Sequence, residues 1–213
     1  MKLILLGVPG AGKGTQAEIL SKELHIPTVS TGNIIRNAIQ EQTSLGAQAK
    51  TYVESGGLVP DGIVVGMLQE YLSQNDYNGG YILDGFPRTL QQARTLEDMG
   101  IRIGQVVYLQ ADYETIQQRL AHRKVCRDCG NSYHNINRPP LKSGVCDSCG
   151  GELITRKDDE PETILERLRV YSAATEQLIE FYAQQGILLT INGNNSMEQI
   201  SNDILTSLSP QPS

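Results

Sequence analysis

No apolar run near the start of this 213-residue chain is long enough for a signal core or a membrane span. The first, Leu3 to Leu6, leads straight into glycines. A cytoplasmic address is the expectation. There is no basic surplus either. Lys and Arg number 18 against 24 Asp and Glu, a net charge of −6, so the molecule as a whole should repel nucleic acid and anionic membranes. Any phosphate-bearing ligand then needs a local basic cluster. Cysteine is scarce, at four, and no internal repeat is visible. The last stretch, Ser207 to Ser213, is polar, carries two prolines and reads as a frayed tail.

What is present reads as an ordinary globular chain, 39% hydrophobic and 20% charged, long enough for one large domain with a small insertion. Short apolar runs alternate with amphipathic stretches, the pattern of a parallel sheet wrapped by helices. Strands are predicted near Lys2–Leu6, Pro27–Ser30, Tyr81–Asp84, Gln105–Leu109 and Ile187–Ile191. Helices are predicted near Lys13–Leu24, Gly32–Gln42, Leu45–Ser55, Asp61–Gln74, Leu90–Met99, Tyr113–Arg123, Glu162–Gln184 and Met197–Leu208. In Glu162–Gln184, Ile164, Leu168, Tyr171, Leu178 and Tyr182 fall close to helical spacing, and Gly186 stops the run. Two stretches break the alternation. Ser30 to Val59 holds two helices and no strand, and His122 to Asp159 is a block of cysteine, glycine and proline. The fold class is therefore α/β: a five-stranded core (1–29, 60–121 and 160–213) with a helical insertion at 30–59 and a second at 122–159.

The first strand runs into Gly7-Val8-Pro9-Gly10-Ala11-Gly12-Lys13-Gly14-Thr15, which opens the first helix. Glycines let successive N–H groups turn inward around phosphate, and the helix N-terminus adds partial positive charge. Lys13 can reach the β- and γ-phosphates, and Thr15 can bring a hydroxyl near Mg²⁺. The general phosphate-loop pattern wants Ser or Thr straight after the lysine, where Gly14 stands. That departure is informative, because Gly7 through Gln16 resembles the loop of nucleoside monophosphate kinases throughout.

The cysteines form two Cys-x-x-Cys pairs, Cys126/Cys129 and Cys146/Cys149, with sixteen residues between them. Four thiolates so spaced can hold one Zn²⁺ tetrahedrally, leaving no open position for chemistry. Two disulfides or four free thiols are the alternatives, and a reducing compartment disfavours the first. A nucleic-acid-binding ribbon is a weaker reading. The block mixes acids with bases and offers only Tyr133 to stack a base.

Tyr81-Ile82-Leu83-Asp84-Gly85-Phe86-Pro87-Arg88 is the second strong motif. A strand ending in Asp84 sets a carboxylate at the carboxyl edge of the sheet, able to hold Mg²⁺ through water. Asp-Gly-Phe-Pro-Arg is similar to the adenylate kinase signature without a gap. Arginines at loop and insertion boundaries, Arg36, Arg88, Arg119, Arg123, Arg156 and Arg167, suit bidentate phosphate contact.

Across residues 1 to 208 the chain resembles bacterial adenylate kinases of the long-lid, zinc-binding type. The resemblance implies ATP and AMP as ligands, Mg²⁺ with ATP, a structural zinc, a monomer, and no nucleic-acid or membrane partner. It implies ATP contacts at Gly10, Ala11, Gly12, Lys13, Gly14, Thr15, Arg119, Arg123, Ser132, Tyr133 and Asn195. On the AMP side it implies Thr31, Arg36, Gly57, Leu58, Val59, Gly85, Phe86, Pro87, Arg88 and Gln92, with Arg156 and Arg167 closing over both phosphates. Lys13, Arg88, Arg123, Arg156 and Arg167 would be the catalytic set, and Asp158 and Asp159 would sit at the lid hinge. The chain departs from the family at Ala121-His122-Arg123-Lys124, where a small residue, a glycine and a second arginine are usual, and at Asn195, where some relatives have lysine. His25 and His134 read as non-ligand histidines. Uridylate–cytidylate kinases share the glycine loop but have a short lid, whereas 122–159 spans thirty-eight residues. A non-catalytic nucleotide sensor would not need Arg88, Arg156 and Arg167 together.

Overall fold

Five of the chain's apolar runs pair into one parallel sheet in the computed structural model, which describes residues 1–209. Most of the expected polar tail, Pro210–Ser213, lies outside the described residues. The chain begins β1 (Lys2–Leu6), α1 (Lys13–Leu24), β2 (Thr28–Ser30), α2 (Thr31–Gln40), α3 (Ser44–Glu54) and α4 (Asp61–Ser73). It continues β3 (Tyr81–Asp84), α5 (Leu90–Asp98), β4 (Gln105–Gln110) and α6 (Tyr113–Ala121). Three short strands follow, β5 (Arg123–Cys126), β6 (Ser132–His134) and β7 (Leu153–Ile154), then a 3₁₀ turn at Lys157–Asp159. The chain ends α7 (Pro161–Gln184), β8 (Leu188–Asn192) and α8 (Met197–Leu208).

The main sheet runs β2-β3-β1-β4-β8, all parallel. Both faces are covered, so the strands are apolar throughout and alternate residues serve opposite cores. On β1, Leu3 and Leu5 pack with Ala17, Leu20, Ile200 and Ile204 of α1 and α8. Ile4 and Leu6 pack on the other side with Leu68, Phe86, Leu96 and Leu178. Each fully buried leucine, such as Leu20, contributes about 1.5–3 kcal/mol by leaving water. The register sets Leu5 beside Asp84 and Ser30 beside Asp84. The loop after β1 and the ends of β2 and β3 therefore share one carboxyl edge, where open α/β sheets bind ligands.

One expectation is corrected here. The sixth helix stops at Ala121 and does not reach Arg123, because His122 leaves helical geometry (φ −105°, ψ 5°) and Arg123 begins β5. β5 is the centre of a small antiparallel sheet, β6-β5-β7. Around it the two cysteine pairs fold identically. Cys126 N donates to Asn131 O and Gly130 N to Cys126 O, while Cys146 N donates to Gly151 O and Gly150 N to Cys146 O. Gly130 and Gly150 both take positive φ, 73° and 76°, which is why a glycine follows each pair.

Candidate functional site

The cleft at the carboxyl edge has a volume of about 1310 Å³, above the ~300–1,000 Å³ usual for one drug-sized ligand. Its floor is the loop before α1. Gly7 and Gly10 have φ 143° and 87°, and a Cβ on either would meet Leu109 O or Ile116 Cγ2 at 2.9 Å. Only glycine lets the loop lie this close to β4 and α6. The cap of α1 is Gly12, which has no side chain to occupy the first-turn N–H groups. Those donors stay available to an anion. Gly14 lies beside Asp84, and a Cβ there would be 3.6 Å from Asp84 Oδ2.

Lys13, Arg36, Arg88, Arg119, Arg123, Arg156 and Arg167 all line this cleft, with Asp84 among them. Seven cations gathered in one acidic protein form the local basic cluster that the net charge demanded. Burial, with repulsion between neighbours behind it, lowers the pKa of three of them. Burial, together with Arg88, Arg167 and Arg123 and against the pull of Asp84, brings Lys13 down to about 7. Burial and then Arg156 bring Arg36 down to about 9. Burial lowers Arg167 to about 10. Such a cluster stores electrostatic work that a polyanion releases on binding.

Carboxylates behind the wall hold part of the cluster in place. Arg123 Nε donates to Asp159 Oδ2 at 2.7 Å, and Arg156 Nε to Asp158 Oδ1 at 2.8 Å. Arg167 Nη1 reaches Asp158 O at 2.7 Å and Asp159 Oδ1 at 2.9 Å. Burial opposes ionisation of Asp158, but Arg156, Arg167 and Arg123 hold its carboxyl well below the usual range. Asp158 and Asp159 thus pre-set three arginine forks by ion pairing.

On the other wall Arg88 Nε donates to Gly85 O at 2.8 Å, and its guanidinium lies 5.3 Å from the Tyr171 ring centre. Lys13 Nζ lies 5.5 Å from the same ring. Tyr171 is therefore a shared cation–π platform under two of the cations. Sequence reading put it in the core stripe of α7, and its helical spacing with Ile164 and Leu168 gave no sign of a second duty. Arg119 bridges Ala11 O and Asn195 O, 3.3 Å from each, joining the loop to the turn before α8.

Of the residues expected on the ATP side, Gly10, Gly12, Lys13, Gly14, Thr15, Arg119, Arg123, Ser132, Tyr133 and Asn195 are brought to the cleft, and Ala11 is buried beneath it. Of those expected on the AMP side, Arg36, Gly85, Arg88, Arg156 and Arg167 reach it. Thr31, Gly57, Leu58, Val59, Phe86, Pro87 and Gln92 do not line it. Thr31 Oγ1 donates to Asp84 O at 3.3 Å. Gln92 accepts from Arg88 N at 2.7 Å and donates to Asp61 Oδ1 at 2.7 Å. Lys124, in the place of a second family arginine, turns away and donates to Thr155 Oγ1 at 2.6 Å.

The four cysteine sulfurs lie within 4.8 Å of one another, with Cys126–Cys149 at 3.4 Å and Cys129–Cys146 at 3.6 Å. None is in a disulfide. Four sulfurs about 2.3 Å from a tetrahedral zinc would stand about 3.8 Å apart, so the donor set fits that ion. The Tyr133 hydroxyl lies 3.3 Å from Cys146 Sγ and accepts from Asp147 N at 2.8 Å. It is the outer hydrogen bond that metal-bound thiolates commonly receive. His134 stays outside the cluster, its Nδ1 accepting from Ile136 N and Asn137 N.

The model of the family described as adenylate kinase matches residues 5–187. The chain belongs to the adenylate kinase family. The adenylate kinase of Caldicellulosiruptor bescii is 47% identical over 212 residues, covering 98% of this chain and 99% of that one. That of Geobacter sp. (strain M21) is 48% identical over 212 residues, with 98% and 99% covered. That of Geobacillus sp. (strain WCH70) is 47% identical over 208 residues, 96% of each. Adenylate kinases are nucleoside monophosphate kinases, phosphotransferases whose general reaction is Mg²⁺-dependent: ATP and AMP give two ADP. No helix among the described residues is long and apolar enough to cross a membrane.

Proposed function

We propose that this chain is a monomeric, cytoplasmic adenylate kinase that binds MgATP on the loop side and AMP on the α2 side of one cleft. The observation that carries the reading is the convergence of Lys13 and six arginines at the sheet's carboxyl edge, with the carboxylate of Asp84 among them. An AMP phosphate oxygen is already ionised at neutral pH, so the reaction needs no general base. It needs two polyanions held in line, their charge neutralised, and water kept out. Arg36 and Arg88 take the AMP phosphate, the 10–15 loop with Arg119 and Arg123 takes the ATP chain, and Arg156 and Arg167 close over both. Mg²⁺, held at Asp84 through water and near Thr15, would neutralise charge on the ATP phosphates.

Insertion 30–59 serves as the AMP flap and 122–159 as the lid. Gln92 keeps one amide hydrogen and one lone pair beyond its bonds to Arg88 and Asp61, enough to read an adenine edge. Thr31 and the Gly57-Leu58-Val59 run complete the base pocket, with the 85–87 turn below it. Ser132, Tyr133 and the Asn195 turn cover the ATP base. Cys126, Cys129, Cys146 and Cys149 hold a zinc that folds the lid and takes no part in the chemistry. A coupled assay of ADP formation with AMP, GMP, CMP and UMP tests the reading. AMP should exceed the others by at least ~10² in kcat/KM, because a site built to hydrogen-bond one base leaves polar groups unpaired with another. Equal use of UMP or CMP would move the chain to another nucleoside monophosphate kinase class.

A further inference from the structure

The lid touches the rest of the molecule at a place that the phosphate-binding chemistry does not use. Glu18, on α1 one turn beyond the loop, accepts two hydrogen bonds from Arg138, each at 2.7 Å. The two residues are 120 positions apart and their side chains are 30% exposed each, so the pair is half sheltered from solvent. Arg138 also lies 5.8 Å from the centre of the Tyr133 ring. Tyr133 in turn is fixed by its hydroxyl against Cys146 and Asp147 of the cysteine cluster. Both Glu18 and Arg138 stand in the wall of the cleft. Nearby, a Cβ on Gly130 of the lid would lie 3.1 Å from Asn33 Oδ1 of α2, so the lid also rests on the opposite insertion.

We propose that Glu18 and Arg138 are positioning residues, a bidentate latch that holds the lid down over the ATP side of the cleft. This rests on the phosphoryl-transfer reading of that cleft. Arg138 exchanges backbone hydrogen bonds with His134, which pairs with Arg123 at the lid's attachment, so the pair ties the base of the lid to α1 and its geometry depends on how far the lid is down. A planar guanidinium on a carboxylate fixes orientation as well as distance. The aromatic ring beneath Arg138 is anchored by the cysteine knuckle, so the order of the metal-binding ribbon is passed to the latch. Breaking the pair leaves Glu18 with only Lys22, 3.3 Å away on its own helix, which cannot restrain the lid. The latch biases the lid toward closure before ATP is bound and slows its opening afterwards.

The test is a cycle of Glu18→Gln, Arg138→Gln, the double variant and the exchanged pair Glu18→Arg with Arg138→Glu. Steady-state kinetics would be read beside hydrogen exchange of residues 132–138 in the nucleotide-free protein. Each single variant should raise the KM for ATP and the lid exchange rate roughly two- to fivefold, the upper range for an ion pair of this exposure, and leave the KM for AMP in place. The double variant should be no worse than either single, and the exchanged pair should recover part of the loss. Adding about 0.5 M salt should bring the wild type toward the variants. Single variants with wild-type KM for ATP and wild-type lid exchange overturn the latch, as does simple additivity in the double variant. A wild type that forms no ADP overturns the kinase reading instead, and lid exchange then still decides the latch.

Discussion

Lys13 Nζ donates to Gly7 O at 2.6 Å and to Val8 O at 3.1 Å, so the loop's own carbonyls occupy the ammonium that phosphate would take. With burial and three arginines bringing this lysine to about 7, binding of ATP must restore its proton. The sign follows directly. Below pH 7 the ammonium is already present and affinity is insensitive to this group. Above pH 7 binding takes up a proton, and the Kd should weaken by up to about tenfold per pH unit. Calorimetry from pH 6 to 9, in buffers of different ionisation enthalpy, should show that uptake. Lys13→Arg, which stays charged, should flatten the rise above pH 7. A flat wild-type profile would sink the argument.

Arg88→Ala should lower kcat by on the order of 10³, the usual loss for one charge-assisted contact to a transferring phosphoryl group. The fold should hold, because the Arg88 side chain lines the cleft and is held there by Gly85 O and by Tyr171. Turnover within tenfold of wild type at an unchanged Tm would remove Arg88 from the site.

Tyr171→Leu is a sharper probe of the same wall. It keeps the apolar volume of α7 but removes the aromatic face under Lys13 and Arg88. Cation–π contacts of this kind contribute about 0.5–2 kcal/mol, so kcat/KM should fall roughly three- to thirtyfold with little change in Tm. Loss confined to stability would return Tyr171 to a purely packing role.

Metal analysis should find about one zinc per chain, the stoichiometry of a four-thiolate structural site. Chelation under reducing conditions should lower the lid's melting temperature far more than it lowers kcat measured well below that temperature. Metal-free protein of unchanged stability would rule out a structural zinc.

A dinucleoside pentaphosphate carrying two adenosines should span the ATP and AMP sites. It should protect both insertions, 30–59 and 122–159, from hydrogen exchange while β1 and β4 change little. ATP alone should protect mainly 122–159, and AMP alone mainly 30–59. Unaltered exchange in both insertions with the bisubstrate compound would refute a two-flap mechanism.

Much of this was legible in the chain because the deciding signals are local. Gly7 to Thr15 encodes its own turn, since glycine's φ freedom and the start of α1 are properties of contiguous residues. Asp84 ends a strand and Arg88 follows four residues later, so one segment fixes both. The two Cys-x-x-Cys pairs encode their shape the same way, and the glycine after each pair was a further signal of the repeated knuckle. Expected strand ends fell within a residue or so of those observed, because apolar runs closed by glycine or polar residues have few alternatives.

Tertiary structure alone decided the partners of these groups. Helical periodicity cannot separate Tyr171 from Ile164, since both are buried on the inward side of α7 and only the tertiary packing sets Lys13 and Arg88 against one of them. The family resemblance implies an adenine contact for Gln92, but nothing in the sequence near it shows that Asp61, thirty-one residues away, also engages its amide. Glu18 and Arg138 carry no shared pattern across their 120-residue separation. Composition implied that any phosphate ligand of this acidic chain would need a local basic cluster. Where each guanidinium rests depends on distances between segments, which are set by how helices pack on a finished sheet and are written in no single stretch of residues.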